Sequence, residues 1–368
     1  MRPSKPLCEI SMENAPTLHS DMATIRDLSA ASSYSWLKDR PQPTIVVPGY
    51  PPIWRERHLP VVLNEGLKHN ENTNQQQAQS LLAFAAAVKY RTPQYDFTKL
   101  DVVVERNTLR RLLRWATRKK QDFSIHVDVI GKTIILMRTT EENRMNARYN
   151  FGISFESQFT QINGPLQDDL SASHYRIIQY NFAGLKMLVR YEVDCVRPGG
   201  ENDRSSANAS TLTRLGRSTF GGTLEVIGGG TFVDQTRVVE MTSSWRGNVG
   251  VAHITRSMWG EKLSQMAVSG TPNLVKAIYE DSGAVVESPR WHTLQSIDRV
   301  NPGLKQYKLT QLAKALRQVV DAIERFAPNA GNRMSLVCAD GVLKLYARPN
   351  GDMLPAPLTA LFMLETAK

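Results

Sequence analysis

Apolar and polar residues alternate along many short stretches of the chain, with the period of two that is typical of half-buried β-strands. Two hairpins are predicted where such stretches flank a tight turn, one at Gly131–Lys132 and the other at Asp340–Gly341. A third strand pair is predicted with its turn near Ala183–Gly184. The segments with strand-like patterns are 100–106, 123–138, 174–182, 185–196, 222–228, 231–242, 273–279 and 334–348.

Three segments are predicted to be helices: 107–120, a stretch around 254–269, and 309–327. In the last of these, Leu312, Leu316 and Ile323 keep the helical spacing and lie on one face. Asn107 or Thr108 is expected to cap the first. Together, the strands and helices predict an α/β fold with a mixed, partly antiparallel central β-sheet flanked by helices.

The length of 368 residues allows one large α/β domain or two ordinary ones. Residues 1–40 mix Ser, Pro, Asn and Thr without a sustained period, which predicts a mostly disordered N-terminal tail. The segment 197–222 is rich in Gly, Ser and Asn, which predicts a mobile insertion. We therefore expect a single domain over 41–368 that carries this insertion.

The chain has a formal net charge of +10 and a pI near 9.5, which favours a polyanionic partner such as nucleic acid. Its first residues lack the apolar core of a secretory signal, and no apolar run approaches the ~18 residues of a membrane span. Three widely spaced cysteines argue against a disulfide framework or a zinc site. We expect a nuclear or cytoplasmic protein that is neither secreted nor bound to a membrane.

Acidic residues recur at strand positions where they could bind a metal ion. Alternate side chains of a strand share a face, so Glu192 and Asp194 are expected about 6–7 Å apart, with Arg190 beside them. Glu240 lies on a later strand, and Glu156 ends an alternating apolar segment. Mg²⁺ prefers carboxylates completed by water and phosphate, and paired ions clamp the oxygens of a phosphoryl displacement. Acids on solvated strand faces give the same pattern, so spacing alone leaves both interpretations open.

The order of four motifs resembles the decapping exoribonuclease (DXO) family. The motifs are FGISFE (151–156), YEVDC (191–195), VVEMTS (238–243) and LSQMAVSGTPNLVKAIYEDSG (263–283). The resemblance spans residues 50 to 365 and implies a fold related to the PD-(D/E)xK nucleases. It also implies Mg²⁺- or Mn²⁺-dependent removal of incomplete or unusual caps from RNA 5′ ends, with 5′-to-3′ exoribonuclease activity. The implied partners are an RNA 5′ end and a separate 5′-to-3′ exoribonuclease.

The resemblance also implies a role for each motif residue. Glu156, Asp194 and Glu240 would be direct metal ligands. Glu192 would act through a metal-bound water, and Gln265 would contact the nucleophile or the scissile phosphate.

Thr242 departs from the family pattern, which has a lysine two residues beyond the motif glutamate. A threonine hydroxyl is neutral and short, and losing one such electrostatic contact costs roughly 2.7–4 kcal/mol, or 10²–10³ in rate. A displaced cation at the catalytic centre is one solution. Arg190 is favoured because it shares the predicted face of Glu192, with Lys186 and Arg246 as further candidates. Three interpretations stay open. The chain is an active enzyme with a displaced cation, a catalytically weakened protein that binds RNA 5′ ends, or an interaction protein without metal affinity.

The predicted helix at 107–120 carries a run of basic residues. Arg110 and Arg114 of this helix, together with Arg190 and Arg246, are the predicted contacts to RNA phosphates. The solvated outer face of an amphipathic helix would have the same composition, so this alternative also stays open.

Overall fold

Strands dominate the part of the chain that the computed structural model describes, which comprises residues 5–15, 17–38, 40–64, 79–119, 121–138, 151–163, 170–199, 217–248, 252–348 and 354–363. The strands are β1 (Cys8–Ile10), β2 (Arg26–Leu37), β3 (Thr44–Gly49), β4 (Ile53–Trp54), β5 (Val61–Val62), β6 (Val102–Glu105), β7 (Phe123–Ile130), β8 (Thr133–Arg138), β9 (Thr160–Gln161), β10 (Leu170–Phe182), β11 (Leu185–Glu192), β12 (Cys195–Val196), β13 (Arg217–Phe220), β14 (Leu224–Gly230), β15 (Val238–Trp245), β16 (Asn273–Tyr279), β17 (Ala284–Val285), β18 (Arg290–Thr293), β19 (Arg333–Ala339) and β20 (Val342–Ala347). The helices are α1 (Ser80–Arg91), α2 (Arg106–Ala116), α3 (Phe151–Phe159), α4 (Ala252–Ser269), α5 (Leu294–Val300), α6 (Leu304–Phe326) and α7 (Ala356–Phe362).

A 12-stranded mixed sheet forms the centre, in the order β1-β20-β19-β7-β8-β6-β11-β10-β2-β3-β14-β13. β6 runs parallel to β8 and β11, whereas the hairpins β7–β8, β10–β11 and β19–β20 are antiparallel. A second sheet has six strands, in the order β18-β16-β15-β12-β4-β9. The predicted α/β class with a mixed, partly antiparallel sheet is confirmed. So are the three predicted turns, where Gly131, Gly184 and Gly341 have positive φ.

Helices flank the large sheet because their apolar faces need a partner surface. Leu109 and Leu112 of α2 and Leu316 of α6 are fully buried in one core cluster with the sheet. α1 belongs to a second cluster and buries every residue from Leu81 to Val88. α2 begins at Arg106, directly after β6, so the expected caps Asn107 and Thr108 lie inside the helix. None of the helices in the described ranges is long and apolar enough to span a membrane.

The prediction that residues 1–40 form a disordered tail is wrong for β1 and β2. β2 lies between β10 and β3 in the sheet, and Tyr34 and Trp36 are fully buried. The serines that suggested disorder have hydroxyls that donate inside the fold. Ser32 donates to the Ala87 carbonyl at 2.7 Å, and Ser33 donates to the Pro48 carbonyl at 2.8 Å. Polar composition misled the prediction because these hydroxyl groups are satisfied by the backbone.

The predicted mobile insertion at 197–222 falls partly on 200–216, outside the described residues. The chain is described again from Arg217, where β13 pairs with β14. A single domain over 41–368 stays a prediction, although β2 extends the sheet to residues before 41.

Candidate active site

The chain passes from the large sheet to the small one between Glu192 and Cys195. β11 ends at Glu192, and β12 begins at Cys195, where it pairs with β15. The expectation that Glu192 and Asp194 share one strand face is therefore wrong, because strand alternation stops before Asp194. Instead, one Asp194 carboxyl oxygen accepts a hydrogen bond from the Met241 main-chain N–H at 2.8 Å. The crossing thus fixes Asp194 beside the strand that carries Glu240.

Glu156 comes from helix α3 and not from an alternating segment. Phe155 packs edge-on against Trp54 with a ring-centroid distance of 6.0 Å, and Phe159, four residues later, stacks on the same ring at 5.4 Å. The same sequence satisfies a period of two at Phe151 and Phe155 and a helical period over Phe151, Phe155 and Phe159. Packing against Trp54 selects the helix, which contacts β15 and brings Glu156 to the site.

A cavity of about 300 Å³ brings together three of the four predicted acids, Glu156, Asp194 and Glu240. It is lined by Arg110, Glu156, Asp194, Glu240, Met241, Glu261, Lys262 and Gln265. Four residues that the motif order singled out, from four separate parts of the chain, therefore meet at one surface. Arg110 is the one predicted RNA contact in this lining.

Glu240 is the centre of the hydrogen-bond network and is 3% exposed. Its Oε1 accepts from the Lys262 ammonium at 2.7 Å and from the Gln265 amide at 2.6 Å. Its Oε2 accepts from the Arg106 guanidinium at 2.9 Å. Because a carboxylate only accepts, the amide nitrogen of Gln265 must face Glu240, which leaves the amide oxygen as an acceptor for another group.

Lys262 and Arg106 were not predicted as site residues. Lys262 lies three residues before Gln265 on α4, so the two side chains share a helix face. That spacing was the available signal, given that Gln265 was already placed in the site. Arg106 starts α2 directly after β6, and only the tertiary fold brings it to Glu240.

The charges around Glu240 and Asp194 shift the pKa values of these two carboxyl groups in opposite directions. Burial opposes ionisation of Glu240, but the cations Lys262 and Arg106 outweigh it and lower the pKa of Glu240 to about 2. Burial raises the pKa of Asp194 well above its ordinary value, and the nearby charges of Glu240 and Glu156 raise it further. The surroundings therefore favour the ionised form of Glu240 more strongly than that of Asp194.

The donor atoms of the site suit a hard divalent cation. The carboxylates offer only oxygen, which is the chemistry that Mg²⁺ and Mn²⁺ select. Over the described ranges, no three His, Cys, Asp or Glu side chains are arranged to hold one ion by themselves. Mg²⁺ needs only one or two protein carboxylates, since waters and substrate phosphate complete its octahedron. Asp194, tied to Met241, and the adjacent Glu240 meet that requirement.

Arg190 is not the displaced cation, and this correction has a clear cause. The Arg190 guanidinium is buried in the large sheet, where it forms an ion pair with Glu105. It also donates to the Tyr34 hydroxyl at 2.8 Å and to the Ser80 carbonyl at 3.0 Å. The group lies 4.9 Å from the centre of the Tyr175 ring. These contacts commit Arg190 to the core and not to RNA or the cavity.

The other predicted residues lie at varying positions around the cavity. Arg114 donates to Glu261 at 2.9 Å, on the wall next to Arg110. Arg246 is 44% exposed and pairs with Glu287 at 2.8 Å, outside the cavity lining.

Two predicted catalytic residues do not line the cavity. Thr242 is half-buried on β15, and Glu192 is half-buried at the end of β11. Glu192 nevertheless affects Arg106. Burial lowers the pKa of the Arg106 guanidinium, but Glu240 and Asp194, with smaller effects of Tyr191 and Glu192, raise it above its ordinary value.

Comparisons with known proteins identify the family and the fold of the chain. A family model described as a domain of unknown function (DUF8563) matches residues 13–282. A search of curated proteins found no match.

Three solved structures have the same fold. S. pombe Rai1 is 14% identical, with a TM-score of 0.64 over 93% of this chain and 99% of its own. Candida albicans Rai1 in complex with pU5–Mn²⁺ is 12% identical, with a TM-score of 0.63 over 95% and 99%. K. lactis Dxo1 in complex with manganese is 12% identical, with a TM-score of 0.60 over 94% and 99%. This chain therefore has the fold of Rai1 and Dxo1, and the fold expected from the motif order is confirmed.

Proposed function

The chain belongs to the family described as a domain of unknown function (DUF8563), and from this premise we propose that it hydrolyses phosphate bonds at RNA 5′ ends. The observation that carries the proposal is the meeting of Glu156, Asp194, Glu240 and Gln265 in one cavity. The Candida albicans relative of the same fold was crystallised with pU5 and Mn²⁺. We infer Mg²⁺ or Mn²⁺ as the cofactor and RNA as the polyanionic substrate, acting in the nucleus or cytoplasm. An exoribonuclease partner stays a prediction of the resemblance.

The residues divide the work by their positions. Asp194 and Glu240 would hold the ion, with Glu156 in the same cavity lining as a further carboxylate ligand. When bound, such an ion polarises the phosphoryl oxygen and lowers the pKa of its water. Glu240 orients the Gln265 amide, so the amide oxygen can accept a hydrogen bond from the attacking water and position it. Arg110 and Lys262, the cations in the cavity lining, would attract the 5′ phosphates and stabilise the charge that develops on them.

The test of this function uses purified protein and RNAs labelled at the 5′ end, bearing a monophosphate, a triphosphate or a cap. We expect products of 5′-end hydrolysis that require Mn²⁺ or Mg²⁺. Thin-layer and gel analysis separate decapping, pyrophosphate release and exonucleolytic loss of nucleotides. RNA binding that depends on metal, with no product from any substrate, would favour the binding protein instead. Absence of both binding and product would overturn the site assignment.

Arg110 is the predicted RNA contact that faces the cavity. Burial and the charges of Arg106 and Arg114 lower the pKa of its guanidinium to about 10, so it is still protonated at neutral pH. The neighbouring Arg114 and Lys119 are both paired with Glu261, at 2.9 and 2.6 Å. Arg110 is therefore positioned to meet an entering phosphate.

Replacing Arg110 by Gln should weaken binding of single-stranded RNA about tenfold, the value of one charge-assisted hydrogen bond. The slope of log K against log salt should fall by about 0.7, because one phosphate contact is lost. Fluorescence anisotropy titrations at several salt concentrations measure both quantities. Arg299→Gln, at an exposed position on α5, is the matched control and should change neither. An unchanged salt slope in Arg110→Gln would place the phosphates elsewhere.

A further inference from the structure

We propose that Lys262, which reaches Glu240 from helix α4, is the catalytic cation that stabilises charge at the scissile phosphate. The inference rests on the proposed function and adds a residue that no motif in the sequence assigns. It accounts for how a site with Thr242 at the expected strand position can still turn over.

The Lys262 ammonium is held in two ways. It donates to Glu240 Oε1 at 2.7 Å and to the Met241 main-chain carbonyl at 3.1 Å. Met241 lies between Glu240 and Thr242 on β15, so the ammonium is held against the strand segment where a lysine at 242 would start. Because the carbonyl contact does not depend on the carboxylate, the ammonium keeps an anchor even when Glu240 binds another cation.

The position of Lys262 differs from that of the other cation on Glu240. Lys262 lines the cavity, and its side chain is 21% exposed. Arg106 approaches the opposite oxygen, is 11% exposed and does not line the cavity. Arg106 therefore balances the charge of Glu240 from within the fold, whereas Lys262 presents its ammonium to the space that the substrate phosphate would enter.

A purely structural role for Lys262 predicts a different outcome from a catalytic one. If the ammonium only held Glu240 in place, its removal should loosen the carboxylate and weaken metal binding. If the ammonium stabilises the reacting phosphate, its removal leaves the carboxylates more negative, so Mn²⁺ should bind at least as tightly while turnover falls. Metal affinity and rate thus move apart only in the catalytic case.

The experiment compares wild type with Lys262→Met, with Thr242→Lys and with the double variant, using 5′-labelled RNA and Mn²⁺. We expect Lys262→Met to lose 10²–10³ in kcat. Calorimetric titration should show Mn²⁺ affinity that is unchanged or increased. The kcat of the double variant should be at least about tenfold higher than that of Lys262→Met. The reason is that residues 240 and 242 share one face of β15, so a lysine at 242 extends on the side of Glu240. Lys99→Met, at a side chain that is 69% exposed, is the control for loss of a surface charge.

Three results would overturn the inference. The first is turnover by Lys262→Met within about threefold of wild type, when 10² or more is expected. The second is a parallel loss of rate and Mn²⁺ affinity without rescue by Thr242→Lys. The third is an inactive wild type, which would overturn the proposed function and with it the role of Lys262. If the wild type and Lys262→Met are both active, only the role of Lys262 is overturned.

Discussion

Glu240→Gln is expected to reduce metal-dependent hydrolysis by at least about 10³-fold. Glu240 combines two tasks, since its carboxylate is an expected metal ligand and also accepts from Lys262, Gln265 and Arg106. A ligand of this kind contributes several kcal/mol of transition-state stabilisation, and each ~1.4 kcal/mol is a factor of ten in rate. The amide of glutamine removes the negative charge and directs N–H groups toward donors, so the network cannot reform around it.

The measurement follows product formation under single-turnover conditions, with Mn²⁺ binding followed by calorimetry. Glu324→Gln makes the same chemical change at an exposed position on α6 and is expected to behave as wild type. Circular dichroism establishes that Glu240→Gln is folded at the assay temperature. If Glu240→Gln retained a tenth or more of the wild-type rate, Glu240 would not be a ligand in the reacting complex, and the proposed hydrolysis would have to occur at another site.

The fold was predictable where the determining interactions are close in sequence. The hairpin turns at Gly131 and Asp340 need only local backbone geometry, and α6 needs only its own apolar face. β2 was missed because its serines suggested disorder, and its pairing with β10 joins residues more than 130 positions apart, such as Leu37 and Leu170. The helix α3 was not predicted because Phe151 and Phe155 fit the period of a strand as well as that of a helix. Packing of Phe155 and Phe159 against Trp54 selects the helix.

The candidate site was predictable in its composition but not in its geometry. The order of motifs brought Glu156, Asp194, Glu240 and Gln265 together, and the structure gathers them in one cavity. Strand alternation was the wrong tool beyond Glu192, where the chain changes sheets. Predicting that Lys262 reaches Glu240 required knowledge of which face of α4 is directed toward β15. Sequence periodicity does not give the orientation of a helix toward a distant strand.

The same limit explains why Arg190 was misplaced, and a stability measurement separates its two possible roles. Arg190→Met should lower the free energy of unfolding by about 3–5 kcal/mol, because it removes the guanidinium that pairs with the buried Glu105 carboxylate. The turnover of the folded protein should stay within a few-fold of wild type, since Arg190 does not line the cavity. Urea unfolding followed by circular dichroism measures the first quantity, and the 5′-end assay without urea measures the second.

The double variant Arg190→Met, Glu105→Met distinguishes a broken ion pair from damaged packing. Replacing both members by apolar side chains removes the buried carboxylate as well as the guanidinium, so most of the lost stability should return. Failure of the double variant to recover would assign the loss to the contacts with Tyr34 and Ser80 instead. If Arg190→Met kept its stability and lost turnover by 10² or more, the effect expected for a catalytic cation, Arg190 would regain the catalytic assignment. The cation of the site would then lie on β11, and the contact of Lys262 with Glu240 would only balance charge.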